Sequence, residues 1–238
     1  MKIALIGYGK MGKTIEKMAI AQGHEIVLTI DINNYEDLTS ENLRKADVAI
    51  EFTRPESAMN NILSCFKAGI PIVSGTTGWV EKKEEVDALC KSYKGAFFYA
   101  SNYSIGVNIF FALNRYLAKL MDTQPQYDIE MEEIHHTEKL DAPSGTAITL
   151  AEGIMGQIDR KKKWINEPSK KVDALPIISK RIPKVKGTHQ INYLSAIDDL
   201  EIKHVAHSRE GFAGGAIQAA EWIIGKKGAY GMQDMLGF

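Results

Sequence analysis

Lys2-Ile3-Ala4-Leu5-Ile6-Gly7-Tyr8-Gly9-Lys10-Met11-Gly12 is the stretch of sequence that decides the fold. Its apolar start predicts a β-strand, its glycines predict a tight turn, and the apolar residues that follow at helical spacing predict a helix. Glycines in such a turn let backbone N–H groups approach a pyrophosphate at the positive N-terminus of the helix. A second apolar run, Glu25 to Ile30, ends in Asp31, nineteen residues beyond Gly12, where a dinucleotide site needs a carboxylate for the adenosine ribose. The pattern favours a dinucleotide-binding βαβ unit over a merely tight turn.

Strand-like and helix-like segments keep alternating up to Asn102. Three apolar runs, Ala46–Phe52, Ile70–Val73 and Ala96–Ser101, are separated by helix-like segments, and strands joined by helices form parallel sheets. Ligands bind such sheets beyond the carboxyl ends of the strands. Each residue at these strand ends, taken alone, could be an ordinary loop residue. Together, these residues predict one crevice that binds a cofactor. The predicted cofactor contacts are Gly7, Tyr8, Gly9, Lys10, Met11, Gly12, Asp31, Phe52, Thr53, Gly75, Thr76, Thr77, Ala100, Ser101, Asn102 and Tyr103.

The pattern changes in the second half of the chain. A long helix is predicted over 107–121. Three later β-rich runs, at 175–182, 189–197 and 200–206, have no helices between them, which predicts a mixed or antiparallel sheet. The apolar residues of the long helix that are expected to face the core are Phe110, Leu113, Leu117 and Leu120.

The sequence thus predicts an α/β protein with two domains. A Rossmann-type dinucleotide-binding domain with a parallel sheet is expected over residues 1–102 and 209–238, because a final helix-like segment at 214–225 can fold back against the first domain. An α+β substrate-binding domain with a mixed sheet is expected over residues 103–208.

The chemically densest stretch runs from Glu133 to Ala147. It holds two adjacent histidines, a lysine and several carboxylates, and it ends in a Pro-Ser-Gly-Thr turn that opens a helix. The free N–H groups of that helix start and the Thr146 hydroxyl are a natural receptor for a carboxylate. Placed with a nicotinamide site, this set of groups favours hydride delivery to a small anionic, unsaturated substrate.

A metal site in this stretch is disfavoured. Strand alternation points His135 and His136 to opposite faces, so the two rings cannot share a metal without a bend, and no third ligand follows at metal spacing. We therefore expect no metal. Structural histidines, and a surface ion pair between Lys139 and Asp141, remain the alternative interpretations.

Composition and charge argue against several other classes of protein. A net charge of −1 gives no reason to expect nucleic acid or membrane as a partner. Cys65 and Cys90 are too few for a disulfide framework and are expected to be buried thiols in a reducing compartment. No apolar run reaches the length of a signal or transmembrane segment, so a cytoplasmic protein is expected. The basic run Arg160–Lys163 is expected to be a solvated loop.

Taken together, the motifs resemble those of the bacterial 4-hydroxy-tetrahydrodipicolinate reductases, also called dihydrodipicolinate reductases. The resemblance covers essentially the whole chain: besides the glycine turn it rests on Glu51–Glu56, Gly75–Gly78 and Ala100–Ser104, and most specifically on Glu133–Ala147. It implies NAD(P)H-dependent reduction of a cyclic dicarboxylate imine to tetrahydrodipicolinate, with loss of the 4-hydroxyl group as water, in lysine and diaminopimelate biosynthesis. It also implies a homotetramer assembled through the sheet of the second domain.

The resemblance assigns roles to individual residues as well. His135 matches the catalytic histidine of the family, and Lys139 matches its proton donor. Arg209 and Phe212 match positions on the cofactor side of the site, with Arg209 near the nicotinamide. The implied substrate contacts are His136, Ser144, Gly145 and Thr146.

Two departures from the family pattern bear on the cofactor. The glycine turn is one residue shorter than the usual form, and Ile32 follows Asp31 where the family often has an arginine that can hold a 2′-phosphate. A carboxylate that faces a phosphate without a cation is unfavourable, so NADH is predicted over NADPH, although Lys10 could compensate in part. Two rival functions stay open: another nicotinamide-dependent reductase of a small anionic substrate, and a non-catalytic NADH sensor.

Overall fold

The structure, a computed structural model, describes residues 1–208 and 210–238. The chain forms two compact units. One unit consists of Met1–Ile105 and Glu210–Phe238, and the other begins at Gly106. Arg209, which the resemblance places near the nicotinamide, lies outside the described residues.

The strands, in chain order, are β1 Lys2–Ile6, β2 Glu25–Ile30, β3 Val48–Glu51, β4 Ile72–Ser74, β5 Ala96–Tyr99, β6 Asp128–His135, β7 Lys163–Ile165, β8 Ala174–Arg181, β9 Gly187–Leu194, β10 Asp199–Ala206 and β11 Gly228–Tyr230. The helices are α1 Lys10–Ala21, α2 Ser40–Leu43, α3 Pro55–Ala68, α4 Lys83–Ser92, α5 Ile105–Met121, α6 Gly145–Met155, α7 Glu210–Ile223 and α8 Met232–Leu236.

A six-stranded parallel sheet forms the centre of the first unit, with the strand order β11-β5-β4-β3-β1-β2. Successive side chains of a strand point to opposite faces. Ile3 and Leu5 therefore join a core with α1 and α7, whereas Ala4 and Ile6 join a second core with α3 and α4. A parallel sheet buried by helices on both faces confirms the predicted Rossmann-type fold.

The second unit contains a five-stranded sheet in the order β10-β9-β6-β8-β7. β8 runs parallel to β6 and β7, whereas β9 runs antiparallel to β6 and β10. One face of this sheet, represented by Ile129, Met131 and Ile191, packs against α5 and α6. The predicted mixed sheet is therefore confirmed.

Helix α3, which follows the Phe52-Thr53 end of β3, begins and ends where its sequence requires. Pro55 occupies the first turn, where its missing N–H and fixed φ cost nothing. Gly69 follows the last turn with φ of +78°, a left-handed conformation that glycine adopts without strain. The start of α3 is thereby fixed next to the carboxyl end of β3.

Four short elements were not predicted: α2, β7, β11 and α8. β11 extends the parallel sheet beside β5, and β7 extends the mixed sheet beside β8. One expectation for α5 was wrong in part. Phe110 and Leu117 are buried, but Leu113 and Leu120 are 46% and 52% exposed, because α5 carries two apolar stripes and only one of them faces the sheet.

The basic run is not simply a solvated loop. Lys161 is buried, and its Nζ lies 2.9 Å from Asp128 Oδ1 and 2.8 Å from the Ala174 carbonyl oxygen. Arg160 donates to the carbonyl oxygens of Asp122 and Tyr127. Two cations of the run thus stabilise the junction of β6, β8 and the loop after α5.

Cys65 and Cys90 are free and buried, as expected from the sequence. Among the described residues, no helix is both long and apolar enough to cross a membrane.

Candidate active site

Two glycines of the turn, Gly7 and Gly12, have no room for a side chain. Gly7 has φ of +97°, and a Cβ built on it would lie 2.0 Å from the Phe52 carbonyl oxygen. A Cβ on Gly12 would lie 2.2 Å from the carbonyl oxygen of Gly7. α1 begins immediately after Gly9, and no side chain caps its first turn. The N–H groups of that turn therefore stay available for an anion.

A cavity of about 790 Å³ lies beside this turn, within the first unit. Asp31 is at its edge, with Oδ1 accepting the N–H of Ile32 at 2.8 Å, which leaves Oδ2 open to a ribose hydroxyl. Ile32 itself is 77% exposed. The cavity and the glycine turn together fit a dinucleotide. Predicted contacts that line it are Gly7, Tyr8, Gly9, Asp31, Phe52 and Thr53; lining residues that were not predicted include Ile32, Tyr35, Arg54, Asn60 and Asn61.

Glu51 organises the carboxyl ends of β3 and β4. Its carboxylate has no exposed surface, and it accepts the hydroxyls of Ser74 at 2.6 Å and Thr76 at 2.7 Å, together with the hydroxyl of Thr53 in a short contact. Thr76 Oγ1 also accepts the Thr53 N–H at 2.7 Å. These hydroxyls are committed to Glu51, so cofactor contacts from Thr53 and Thr76 would have to come from other atoms.

Several other predicted cofactor contacts also have packing functions. Tyr103 is buried, and its hydroxyl donates to the Ser74 carbonyl oxygen at 2.7 Å. The Phe52 ring lies 5.7 Å from that of Tyr103, and a Cβ on Gly75 would lie 2.1 Å from the Phe52 ring. Thr77 and Ser101 are exposed, whereas Ala100 is buried. Three remaining members of the predicted set, Lys10, Met11 and Gly12, lie in the first turn of α1. Asn102 accepts the N–H of Ser104 through its side-chain oxygen. Phe212 is half-buried near the start of α7.

In the second unit, strand β6 points alternate residues to its buried face. Glu133 and His135 share that face, whereas His136 follows the last residue of β6 and is half-buried. His135 Nδ1 lies 3.2 Å from Glu133 Oε2, in an electrostatic contact without full hydrogen-bond alignment. His136 Nδ1 lies 2.8 Å from Glu138 Oε2. The two rings thus have different acidic neighbours, Glu133 for His135 and Glu138 for His136.

Glu133 has no exposed surface and contacts several groups at once. Both of its oxygens accept the Ser144 N–H at 3.1 Å, and Oε1 lies 3.3 Å from Arg181 Nη2. Burial alone raises the pKa of the Glu133 carboxyl, but contacts from His135, Ser144 and Ser179 more than offset burial and hold that pKa below its usual range. Glu133 is therefore a carboxylate at neutral pH.

His189, on the neighbouring strand β9, faces the same carboxylate. Its ring lies 5.1 Å from that of His135, in an edge-to-face arrangement, and its Nε2 lies 3.2 Å from Ser144 Oγ. Burial, the larger effect, and the charge of His135 together lower the pKa of His189 to about 4, although the Glu133 carboxylate acts in the opposite direction. His189 is therefore neutral near pH 7.

Ser144 caps α6, which begins at Gly145. Its hydroxyl accepts the N–H of Ala147 at 3.2 Å and is buried. Gly145 is exposed and Thr146 is half-buried, and N–H groups in a first helical turn have no acceptor within the helix. Gly145 and Thr146 are thus placed to meet an anion, whereas the Ser144 side chain supports the helix start.

Lys139 and Asp141 form an ion pair in the loop between β6 and α6, with Nζ 2.8 Å from both carboxylate oxygens. The hydrogen bonds from Lys139 lower the pKa of Asp141. Arg181, from the end of β8, donates to the carbonyl oxygens of Lys139 at 3.3 Å and Asp141 at 2.6 Å. One guanidinium therefore joins this loop to Glu133.

The sequence interpretation did not identify Arg181, His189 or Glu51 as members of a site. By distance alone Glu133, His135 and His189 could ligate a metal, since their ligand atoms lie within 4.8 Å of one another. The Arg181 guanidinium and the Ser144 N–H already occupy the Glu133 oxygens. The arrangement therefore favours hydrogen bonding over a metal ion.

Two family models match the chain in succession. The model described as dihydrodipicolinate reductase, N-terminus, matches residues 1–103, and the model described as dihydrodipicolinate reductase, C-terminus, matches residues 106–236. The 4-hydroxy-tetrahydrodipicolinate reductase of Christiangramia forsetii is 47% identical over 238 residues, which covers 99% of this chain and 98% of that relative. The enzyme of the same name from Methanoregula boonei is 32% identical over 252 aligned residues, with 99% and 98% coverage.

Solved structures show the same likeness. The dipicolinate-bound dihydrodipicolinate reductase from Paenisporosarcina sp. TG-14 superposes with a TM-score of 0.78 at 25% identity, over 98% of both chains. An amine dehydrogenase from Mycobacterium smegmatis has a TM-score of 0.60 at 11% identity, over 96% of this chain and 93% of its own, and shares the fold alone. With both family models matched and a relative 47% identical over nearly its full length, the chain belongs to the dihydrodipicolinate reductase family.

Proposed function

We propose that this member of the family reduces 4-hydroxy-tetrahydrodipicolinate to tetrahydrodipicolinate, with NADH as the preferred cofactor. Family membership makes it an NAD(P)H-dependent oxidoreductase of lysine and diaminopimelate biosynthesis. The observation that supports the assignment of residues is that one buried carboxylate, Glu133, contacts both His135 and the start of α6.

The substrate carboxylates are assigned to the start of α6 and to the cationic groups of the second unit. The N–H groups of Gly145 and Thr146 carry the positive end of the helix dipole, and the Thr146 hydroxyl adds a donor. Lys139 and His136 complete the predicted set. Because these donors are preorganised, they need no rearrangement when negative charge develops, and such stabilisation is usually the largest single contribution to catalysis.

The proton is assigned to His135 or Lys139. When bound, the dihydronicotinamide supplies the hydride; the overall reaction adds one hydride and one proton and releases the 4-hydroxyl group as water. His135 lies against the buried Glu133 carboxylate, with Nδ1 3.2 Å from Oε2, which orients the ring for use as an acid. Lys139 is held beside Asp141 as an ammonium ion that can both attract the substrate and donate a proton.

The NADH preference is assigned to Asp31 and Ile32. Asp31 borders the cavity, and Ile32 offers a 2′-phosphate no cation. Replacing Ile32 with arginine is expected to raise the ratio of kcat/KM for NADPH to that for NADH, because a charge-assisted hydrogen bond contributes about 1.5–3 kcal/mol, or roughly 10- to 100-fold.

Steady-state kinetics with both cofactors would measure this ratio, with Ile32→Gln as a control of similar length and no charge. An equal ratio in the Ile32→Arg and Ile32→Gln variants, or a wild-type preference for NADPH, would contradict the assignment.

A homotetramer assembled through the five-stranded sheet is part of the proposal. It is supported by the sheet face opposite the α5 and α6 core, which carries half-exposed polar side chains. Asn192 donates to Glu130 at 3.3 Å and Gln190 donates to Glu201 at 2.7 Å on that face. Light scattering of the purified protein is expected to give four times the mass of one chain; a monomer at micromolar concentration would count against the tetramer.

A cytoplasmic location is also proposed. It is supported by the free, buried thiols of Cys65 and Cys90, which need no oxidising compartment.

Turnover assays on purified protein test the proposed function directly. The cyclic imine is expected to be reduced with either dihydronicotinamide cofactor, whereas small keto acids are expected to give little turnover. Turnover restricted to a keto acid would point to another reductase of small anionic substrates.

A further inference from the structure

We infer that Glu133 and Arg181 are positioning residues that hold His135, the Lys139–Asp141 loop and the start of α6 in one arrangement. The inference rests on the proposed function of His135 and Lys139. It deepens that function because neither Glu133 nor Arg181 is assigned as a contact of substrate or cofactor.

The position of Glu133 restricts what it can do. Its side chain has no exposed surface, so it acts through its neighbours and not on a ligand. It accepts the Ser144 N–H at 3.1 Å and an Arg181 N–H at 3.3 Å, and two histidine rings face it, His135 at 3.2 Å and His189 at 3.8 Å. A buried carboxylate is stable only with such partners. Loss of its charge would therefore disturb all of them together.

For His135, the contact with Glu133 selects a tautomer. The carboxylate lies 3.2 Å from Nδ1 and can only accept a hydrogen bond, so the neutral ring carries its proton on Nδ1. The other nitrogen, Nε2, is directed to the start of β9, where a Cβ built on Gly187 would lie 3.2 Å from it. A side chain at this position would crowd that side of the ring. The proton that His135 exchanges is accordingly the one on Nε2.

Arg181 positions the Lys139–Asp141 loop, as Glu133 positions His135. Its guanidinium donates to two backbone carbonyl oxygens of the loop and to Glu133. A planar group with several donors can make these bonds at once, whereas a lysine at the same position cannot. The backbone that carries Lys139 is thus tied to the carboxylate that orients His135.

His189 and Ser144 complete the connection to α6. Ser144 donates its N–H to Glu133, and its hydroxyl contacts both the Ala147 N–H and His189 Nε2. The helix start that is proposed to bind a substrate carboxylate is therefore fixed by the same carboxylate that orients the ring.

The test compares Glu133→Gln with Glu132→Gln. Glu132 is the neighbouring residue of β6, lies on the opposite face and pairs with Lys180, so it is a matched control. Glu133→Gln is expected to lower kcat by at least roughly 10- to 100-fold, the loss typical when the carboxylate that orients a metal-ligating histidine is replaced, with an unchanged Kd for NADH. Glu132→Gln is expected to match the wild type in both.

A spectroscopic measurement separates positioning from general destabilisation. Nitrogen-15 NMR of histidine-labelled wild-type protein is expected to show His135 protonated on Nδ1 when neutral, and the Glu133→Gln variant is expected to lose that preference. Arg181→Lys is expected to raise KM for the imine and lower kcat while leaving the His135 tautomer unchanged.

Wild-type kcat in Glu133→Gln, or a wild-type His135 that is neutral with its proton on Nε2, would overturn the inference. The wild-type spectrum decides the question even if the variant does not fold. The proposed function fails separately: unaltered kcat in a His135 variant would refute it, whatever the Glu133 variants show.

Discussion

Replacement of His135 with glutamine is expected to lower kcat for the cyclic imine by ~10² to 10⁴-fold, the range that positioned acid–base catalysis contributes. Glutamine keeps a polar side chain of similar reach, but it cannot donate a proton as an acid. The Kd for NADH is expected to change little, because His135 is in the second unit. The predicted cofactor contacts whose positions the structure describes are all in the first unit. Stopped-flow or steady-state assays, with NADH titrations by fluorescence, would measure both quantities.

His24→Gln is a suitable control for this variant. His24 lies near the N-terminus of the chain, where it contacts Met1 and Glu221, and it has no assigned role in the reaction. Its kcat is expected to equal that of the wild type. A His135→Gln enzyme with unaltered kcat would remove His135 from the mechanism.

Replacement of Gly7 with alanine is expected to destabilise the first unit and weaken NADH binding. The new Cβ would lie 2.0 Å from the Phe52 carbonyl oxygen, at a φ of +97°. Overpacking usually costs about 1–3 kcal/mol, and a left-handed conformation costs a further ~1–2 kcal/mol. We expect a lower Tm and at least a tenfold rise in the Kd for NADH, equivalent to about 1.4 kcal/mol.

Gly23→Ala separates the two costs. Gly23 has a similar φ of +82°, but a Cβ there meets nothing within 4 Å. It is therefore expected to lose only the backbone contribution and to keep its affinity for NADH. Equal losses of stability and affinity in the two variants would show that close packing of the glycine turn against Phe52 has no special importance.

The parts of the fold that could be predicted are those with a local sequence signal. The glycine turn, the alternating strands and helices, and the run of helix-free strands each follow from a spacing within one segment. β7 and β11 have three residues each, too few to show a period. Leu113 and Leu120 were assigned to the core because helical spacing shows that a stripe is apolar, not which of two stripes a sheet will cover.

The site was predictable to the extent that it lies in one stretch. His135, Lys139 and Thr146 stand close together in sequence, and their chemistry is visible there. Arg181 and His189 come from strands more than forty residues further on, and no local pattern connects them to Glu133. Such partners are found only when the register of β6 with β8 and β9 is known.

Glu51 was overlooked for a related reason. A carboxylate in an apolar strand is a signal, since it must find donors when buried. Its donors, Thr53, Ser74 and Thr76, come from the ends of two strands, and two of them, Thr53 and Thr76, were assigned to the cofactor because of their position beyond the sheet. Whether a hydroxyl at this position binds Glu51 or the cofactor is visible only from the observed hydrogen bonds.

The measurement that tests the account most directly is the oxidation of NADH by the purified wild-type protein in the presence of freshly generated 4-hydroxy-tetrahydrodipicolinate, run in parallel with NADPH and with the His135→Gln variant. Substrate-dependent oxidation is expected with both cofactors, with the higher kcat/KM for NADH, and it should fall in the variant. Absence of substrate-dependent oxidation with either cofactor, or full activity in the variant, would contradict it.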